Sequence, residues 1–461
     1  IRIGRPKADA EVRRTFFVRG KRRNHSLKPG YFRDFARYTS LNVLGMVGLS
    51  CYILAGTFFV SKGLGTSGLA ALNLAIPVYS FNHGCGLMIG MGGGTHYSIH
   101  KSRGEDEAAN KVFTNAAMLV AVFASLFFLA GLFLSETITT LLGADEAVFE
   151  MTRTYLQVIL LFAPAFMLNN LILCFVRNDG APGLAMAGMI GGSLSNIVLD
   201  WVFIFPCGMG IFGAVFATGL APVISLLILS PHFIFRRNRF KPVRTAPSPG
   251  RMAGIMGSGV PSLVTEVSSG VVMIVFNSII LSLEGSTGVA AYGVIANLSL
   301  VVVSVYTGIA QGIQPLLSRY FGLSDRKGSA RTLQYALILM AAFSGIVYTV
   351  IFVFASPIAG IFNSEGNPLL QQIAAEGLRL YFTAIPFAGF NIILSIFFTS
   401  SERPRPASAV SLLRGFIVII PMAFLLSALF GLQGVWCAFP ATEMIVAAAA
   451  LLFFLLSRKK A

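Results

Sequence analysis

The sequence predicts an all-α membrane protein, with twelve transmembrane helices in two pseudo-symmetric six-helix lobes around a central cavity. Three observations lead there: a composition too apolar for water, a regular alternation of basic and non-basic breaks between apolar runs, and an internal repeat with a shift of about 220 residues.

Of the 461 residues, 55% are hydrophobic and only 12% charged, and mean hydropathy is +0.76. A soluble chain would have to expose much of that apolar surface, so the solvent is a bilayer. The formal charge of +16 raises the question of nucleic-acid binding. The basic residues form no hydrophilic domain, however; they sit in short breaks, where Lys and Arg hold loops on the cytoplasmic side. Cys51, Cys85, Cys174, Cys207 and Cys437 have no metal-ligand spacing and read as packing residues. No metal or cofactor is expected. The first apolar run follows a basic segment of about 35 residues and lacks a small-residue cleavage site, so no removable signal peptide is expected. A start at Ile1 reads as trimmed or processed.

A span needs about 20 mainly apolar residues. Runs of that length fall at 38–60, 68–98, 112–134, 147–176, 183–205, 211–235, 252–283, 288–317, 332–356, 369–399, 407–430 and 434–456. Every second break is basic: "HKSRGEDEAANK", "RNDGAPG", "RRNRFKPVRTAPSPGR", "SRYFGLSDRKGSAR" and "SERPRP", together with both tails. The intervening breaks, such as "SETITTLLGADEA" and "LEGSTG", together hold one Lys and no Arg. Both termini are therefore expected in the cytoplasm of a multi-pass cell-membrane protein. The predicted organisation is a basic tail (1–37), an N-terminal lobe (38–235), a Pro- and Ser-rich cytoplasmic linker (236–251), a C-terminal lobe (252–456) and a short basic tail (457–461). The first tail is expected to favour anionic lipid.

Across the linker the chain resembles itself. "GTSGLAAL" from Gly65 matches "GSTGVAAY" from Gly285, Pro164 and Asn169 match Pro386 and Asn391, and "FGAVFA" from Phe212 matches "QGVWCA" from Gln433. Units with an even number of crossings share one orientation, so a pseudo-two-fold axis along the membrane normal should relate them. Lobes of that kind enclose a cavity that opens alternately to each side, which points to transport.

An ionised group in hydrocarbon costs at least a few kcal/mol and calls for a function or a partner. Asp200 in "NIVLDWVFIF" lies about 17 residues into its helix, roughly 26 Å. Glu266 in "GVPSLVTEVSSG" lies about 14 residues in, roughly 21 Å. Glu443 in "FPATEMIV" is at middle depth on the last helix. Each can bind a coupling ion or a cationic substrate, or else tie helices together. Asn169, Asn196, Asn277, Asn297, Gln314 and Asn391 cannot face lipid cheaply, so they face a cavity or another helix. With Glu443 they form the candidate substrate cavity. His83 and His96 read more simply as polar residues in helix interfaces than as titrating groups. "GMGGG" from Gly90 lacks the strand and the Lys-Ser or Lys-Thr of a phosphate loop, and close helix packing explains it. The chain carries no nucleophile elbow, zinc motif or ATP signature, so neither an enzyme nor a self-contained pump is expected.

"NIVLDWVFIF", "GIFGAVFATGLAP", "GVPSLVTE" and "GIAQGIQPLLSRYFG" together resemble the multidrug and toxic compound extrusion family, from Tyr38 to Leu456. The resemblance implies antiport, in which protons or sodium ions entering drive export of organic cations, drugs or metabolites. It also implies that Asp200 and Glu266 are ion-coupling positions in the two lobes. One departure stands out, because the family's first helix usually places Asp before Thr. Here Gly56 precedes Thr57, which gives Glu266 more weight. A monomer with a cationic small-molecule substrate is expected. The alternative is a flippase of lipid-linked precursors, which should line its cavity with several cations; the predicted spans hold almost none. A membrane-embedded enzyme would need the clustered Asp or His residues that metal-assisted chemistry uses.

Overall fold

The computed structural model describes residues 30–363 and 366–459. Most of the basic tail, including the segment expected to favour anionic lipid, lies outside the described residues. Among those described there is no strand. The helices are α1 (Tyr31–Arg103), α2 (Asp106–Phe133), α3 (Ser135–Leu141), α4 (Phe149–Leu161), α5 (Ala163–Asn178), α6 (Pro182–Ile204), α7 (Gly210–Leu229), α8 (Pro231–Ile234), α9 (Pro249–Gly322), α10 (Arg326–Phe362), α11 (Pro368–Tyr381), α12 (Ile385–Ser400), α13 (Pro404–Leu412) and α14 (Ile419–Lys459). Several begin where local chemistry dictates. Pro opens α6, α9, α11 and α13, where its missing N–H costs nothing. Asp325 caps α10 by accepting from the Gly328 amide at 2.8 Å, and the Asn367 side chain accepts from Leu369 N at 3.0 Å at the start of α11.

Helices α1 and α9 run for 73 and 74 residues, which as rods would reach about 110 Å, against a hydrocarbon core of about 30 Å. Each instead folds back at one glycine. Gly65 has φ 67 and ψ −155, and Gly285 has φ 65 and ψ −155, a left-handed conformation that a side chain would strain. The hairpins are closed by contacts impossible in a straight helix. The hydroxyls of Tyr52 and Tyr79 hydrogen-bond at 3.2 Å, and the rings of Phe276 and Tyr292 stack with centroids 5.6 Å apart. Helix α14 turns likewise at Gly431 (φ 58, ψ −137), whose repeat counterpart Gly210 also has a positive φ of 61. The middle of each half breaks alike, between α4 and α5 next to Pro164 and at Phe382–Ala384 next to Pro386.

Among the described residues, eight helices are long and apolar enough to cross a membrane, or nine when α4 and α5, bent by 47°, form one span. Their outer faces are apolar, as Leu126 and Leu129 on α2 and Ile346 and Val353 on α10 show. This is the surface expected against lipid.

Two helices reach past the predicted spans: helix begins at Tyr31, inside the predicted tail, and α14 runs to Lys459. The segment predicted as the linker runs as an extended strap tied to α2. The amides of Lys241, Val243 and Ser248 donate to the side chains of Asn110, Thr114 and Asn115 at 2.9, 3.0 and 2.9 Å. Phe240, fully buried, anchors it among Tyr97, Phe113 and Phe175. The apolar ring outweighs the polar composition that signalled a linker.

The two halves meet along a seam at the basic end, the end that carries the positively charged breaks. A Cβ on Gly92 would overlap the Ile255 carbonyl oxygen, and one on Gly259 would overlap that of Met88. Only bare backbone allows helices to approach so closely. Hydrogen bonds join the halves on this side. Tyr31 bonds to Asp325 at 3.0 Å, His96 to Ser258 at 3.0 Å and Gln314 to Thr95 at 2.9 Å.

Candidate functional site

Above the seam a cavity of about 100 Å³ lies mainly within the first half, lined by Tyr52, Tyr79, His83, Asn169 and Arg177 among others, and the second half closes it with Glu266 and Gln311. A second, of about 60 Å³, shares Glu266 and Gln311 and adds Thr265, Ser411 and Arg414. Among the described residues Glu266 is the one carboxylate that lines either. Its side chain is 35% exposed, and its Oε2 lies 3.5 Å from Nδ1 of His83 in the other half. The His83 ring stacks on Tyr79 at 5.8 Å.

Asp200 lies elsewhere, inside the first half, and is 2% exposed. With the Asn196 amide oriented to satisfy both its ends, Asn196 donates to Asp200 Oδ2 at 3.1 Å and accepts from Thr218 N at 3.1 Å. Asp200 Oδ1 has no partner. Gly56 faces this carboxylate, since a Cβ there would stand 3.2 Å from Oδ2. The position where the family usually has Asp thus adjoins Asp200, and this chain leaves it without a second carboxyl.

Glu443 and Asn391 are buried inside the second half. Arg414 Nη2 and Nε donate to Glu443 Oε1 at 2.7 and 3.0 Å, and Asn391 Nδ2 donates to Oε2 at 2.7 Å. Glu443 is thereby neutralised, which leaves it little capacity for a substrate charge. Gln314 belongs to the seam, bonded to Thr95 and to Asn178 at 3.0 Å. Asn277 is half-buried and Asn297 exposed; neither lines the two cavities. Of the predicted cavity set, only Asn169 lines one of them, with its Oδ1 unpartnered.

Two functional candidates are not ones the sequence singled out. His83 looked like a lone interface residue, because nothing in one helix indicates that Glu266 faces it from another. Arg177 was counted among the loop cations, yet it is 3% exposed and lines the cavity. The signal was present: Asn170, Cys174 and Arg177 follow i, i+4, i+7 spacing, so the polar stripe of the helix continues through the arginine. The next two residues are equally engaged. Asn178 reaches Gln314 across the seam, while Asp179 accepts from the Tyr97 hydroxyl at 2.7 Å and the Arg239 amide at 2.8 Å, and pairs with His232 at 3.0 Å.

The MatE family model matches this chain twice, over residues 43–202 and 261–425, together more than half of it. The chain belongs to the MatE family. The matches start at 43 and 261, one in each half, within the shift range of the internal repeat. The chain is 24% identical over 437 residues to the multidrug export protein MepA of Staphylococcus saprophyticus, covering 94% of this chain and 95% of that one. It is 25% identical over 438 residues to MepA of Staphylococcus aureus strain MRSA252, with 93% and 95% covered. Among solved structures it resembles a MATE protein in complex with MaL6 (TM-score 0.87, 24% identity, 93% and 96% covered). It also resembles the outward-facing conformation of a multidrug resistance MATE transporter (TM-score 0.86, 23% identity, 93% and 96% covered). These likenesses establish the two-lobe fold of a MATE transporter.

Proposed function

We propose that this protein is a secondary active transporter that exports organic cations, drugs or metabolites in exchange for protons or sodium ions, with Glu266 as the principal coupling residue and Asp200 as a weaker second site. The observation that carries this reading is the position of Glu266: a part-exposed carboxylate of the second lobe that borders the cavity of the first. Dividing α1, α9 and α14 at their glycine turns takes the nine apolar spans to twelve, an even number with both termini on the basic, cytoplasmic side. The seam then closes the cytoplasmic end, and export requires it to open. At about 100 Å³ the cavity is far below the roughly 300–1,000 Å³ of sites for drug-sized ligands, so loading needs the lobes to part.

Mutual exclusion at one charge supplies the coupling. An ion that neutralises Glu266 weakens its hold on a cationic substrate, and a bound cation excludes the ion. Exchange of one entering ion for one monovalent cation moves no net charge, so the ion's concentration gradient drives it: each tenfold gradient supplies about 1.4 kcal/mol and supports a tenfold ratio of the exported cation. The flippase alternative needs several free cations on the cavity; Arg414 is neutralised by Glu443, which leaves Arg177, and the relatives carry the names of multidrug exporters.

The test is efflux from vesicles containing the purified protein under an imposed pH or sodium gradient, with a panel of organic cations. Glu266→Gln should insert normally yet lose gradient-driven efflux, and Asp200→Asn should lose less. Wild-type efflux with unchanged ion dependence in Glu266→Gln would place the coupling elsewhere.

A further inference from the structure

The cavity holds a second fixed charge that the coupling scheme does not use. Arg177 lies on the same cavity as Glu266 and is 3% exposed, yet among the described residues no carboxylate pairs with it. Its five N–H donors are poorly served. Nη1 donates to Asn42 Oδ1 at 2.9 Å and, across the lobes, to Gln311 Oε1 at 2.7 Å. Nη2 meets only sulfur, Met91 Sδ at 3.3 Å and Cys174 Sγ at 3.5 Å, and Nε has no acceptor. Arg414, on the neighbouring cavity, is the contrast, since two of its nitrogens are held by Glu443. The fold can therefore neutralise a buried guanidinium and does not do so at Arg177. A buried cation without a counter-charge is strongly unfavourable, and an unpartnered Nε beside an Nη2 held only by two weak sulfur acceptors leaves the guanidinium fork open to an oxyanion.

The bond to Gln311 makes this readiness depend on conformation. Asn42 belongs to the first lobe, as Arg177 does, but Gln311 comes from the second. Parting of the lobes at the basic end withdraws Gln311 and frees a donor facing the cavity. We propose that Arg177 is an anion-recognition residue of the substrate cavity: once Gln311 is withdrawn, its guanidinium binds a carboxylate or similar oxyanion carried by the cargo, so the site selects molecules that bear an anionic group besides a cationic one. Return of Gln311 as the seam closes competes for the same donor and releases the anionic group. The proposal takes from the transport reading only that the cargo binds in this cavity. Its readout is equilibrium binding, so failure of the coupling role of Glu266 leaves it standing.

The experiment uses the purified full chain in lipid nanodiscs and two fluorescent probes, an aromatic amine bearing a carboxylate and the methyl ester of the same molecule. A charged hydrogen-bonded contact of this kind corresponds to roughly ten- to hundredfold in affinity. Arg177→Met should weaken binding of the carboxylate probe by about that factor and leave the ester within about twofold. Gln311→Ala, which removes the competing acceptor and keeps the arginine, should tighten the carboxylate probe severalfold and leave the ester unchanged; it keeps the test open should Arg177→Met fail to fold. Equal loss for both probes in Arg177→Met, no preference for the carboxylate in the wild type, or unchanged carboxylate binding in Gln311→Ala would each overturn the assignment.

Discussion

The seam at the basic end sets a quantitative expectation for Gly259→Ala. The added Cβ would overlap the Met88 carbonyl oxygen and lie 2.8 Å from Met88 Cα, well inside van der Waals contact. Both are main-chain atoms of a helix, so no rotamer change relieves the clash and the two helices must move apart. Overpacking of this sort costs about 1–3 kcal/mol, and here the cost falls only on the state in which the lobes touch. The ratio of closed to open should therefore fall by about five- to hundredfold. Spin labels on cysteines at Glu105 and Lys327, exposed positions on the two lobes at that end, read the change directly in a cysteine-free background. The distance distribution should move to longer values in Gly259→Ala. Gly345→Ala serves as the control, because a Cβ there meets nothing within 4 Å. An unchanged distribution in Gly259→Ala, with unchanged thermal stability, would refute the claim that this contact holds the end shut.

Three further outcomes follow from the geometry. Arg414→Met leaves Glu443 without its ionic partner, and such a loss is worth about 3–5 kcal/mol; thermal unfolding in detergent should show it, with Glu443→Gln in the same background restoring part. Gly65→Ala and Gly285→Ala each force a left-handed backbone on a side chain, at about 1–2 kcal/mol apiece, so each should lower the melting temperature by a similar amount because the turns are copies. Phe240→Ala removes the anchor of the strap, and trypsin should then cut at Lys241 or Arg244 much faster than in the wild type.

How much of this was legible depended on whether the determinant was local. The glycine turns were written into "GTSG" and "GSTG", since a left-handed residue is a property of one position and its neighbours. The apolar exterior was legible from composition, whereas the breaks next to Pro164 and Pro386 fell inside runs read as continuous spans, 147–176 and 369–399, with the prolines noted only as a repeat match. Pairings between distant segments were not legible either. Arg414 and Glu443 are 29 residues apart, and His83 meets Glu266 only because the lobes are docked, so neither pair leaves a periodic trace. The course of the strap was not legible, because composition averages over residues, whereas a single aromatic ring decides where the segment lies. Arg177 was misread through a sound rule applied one turn too far, for a cation at the end of an apolar run was taken for a loop residue when the helix runs on to Asn178.

The repeat also shows which features the two halves share and which they do not. Turns, breaks and close-packed glycines recur at equivalent positions, because hairpin geometry is needed in both lobes alike. The charges do not recur. In the first lobe Asp200 has an amide neighbour, a free oxygen and, at Gly56, a residue with no side chain facing its carboxylate. In the second lobe Glu443 is held by Arg414, which sits on a π-helical turn, Leu413–Ile417, while the corresponding stretch of α6 is continuous α-helix. Such a turn rotates the residues after it relative to those before, so this departure from symmetry coincides with the residue that removes a free charge. The second lobe thus pairs its internal carboxylate and leaves Glu266 at the cavity, whereas the first keeps Asp200 inside its bundle without a cation partner among the described residues. The backbone symmetry suits a rocking motion, and the broken charge symmetry leaves the two lobes different electrostatic parts in it.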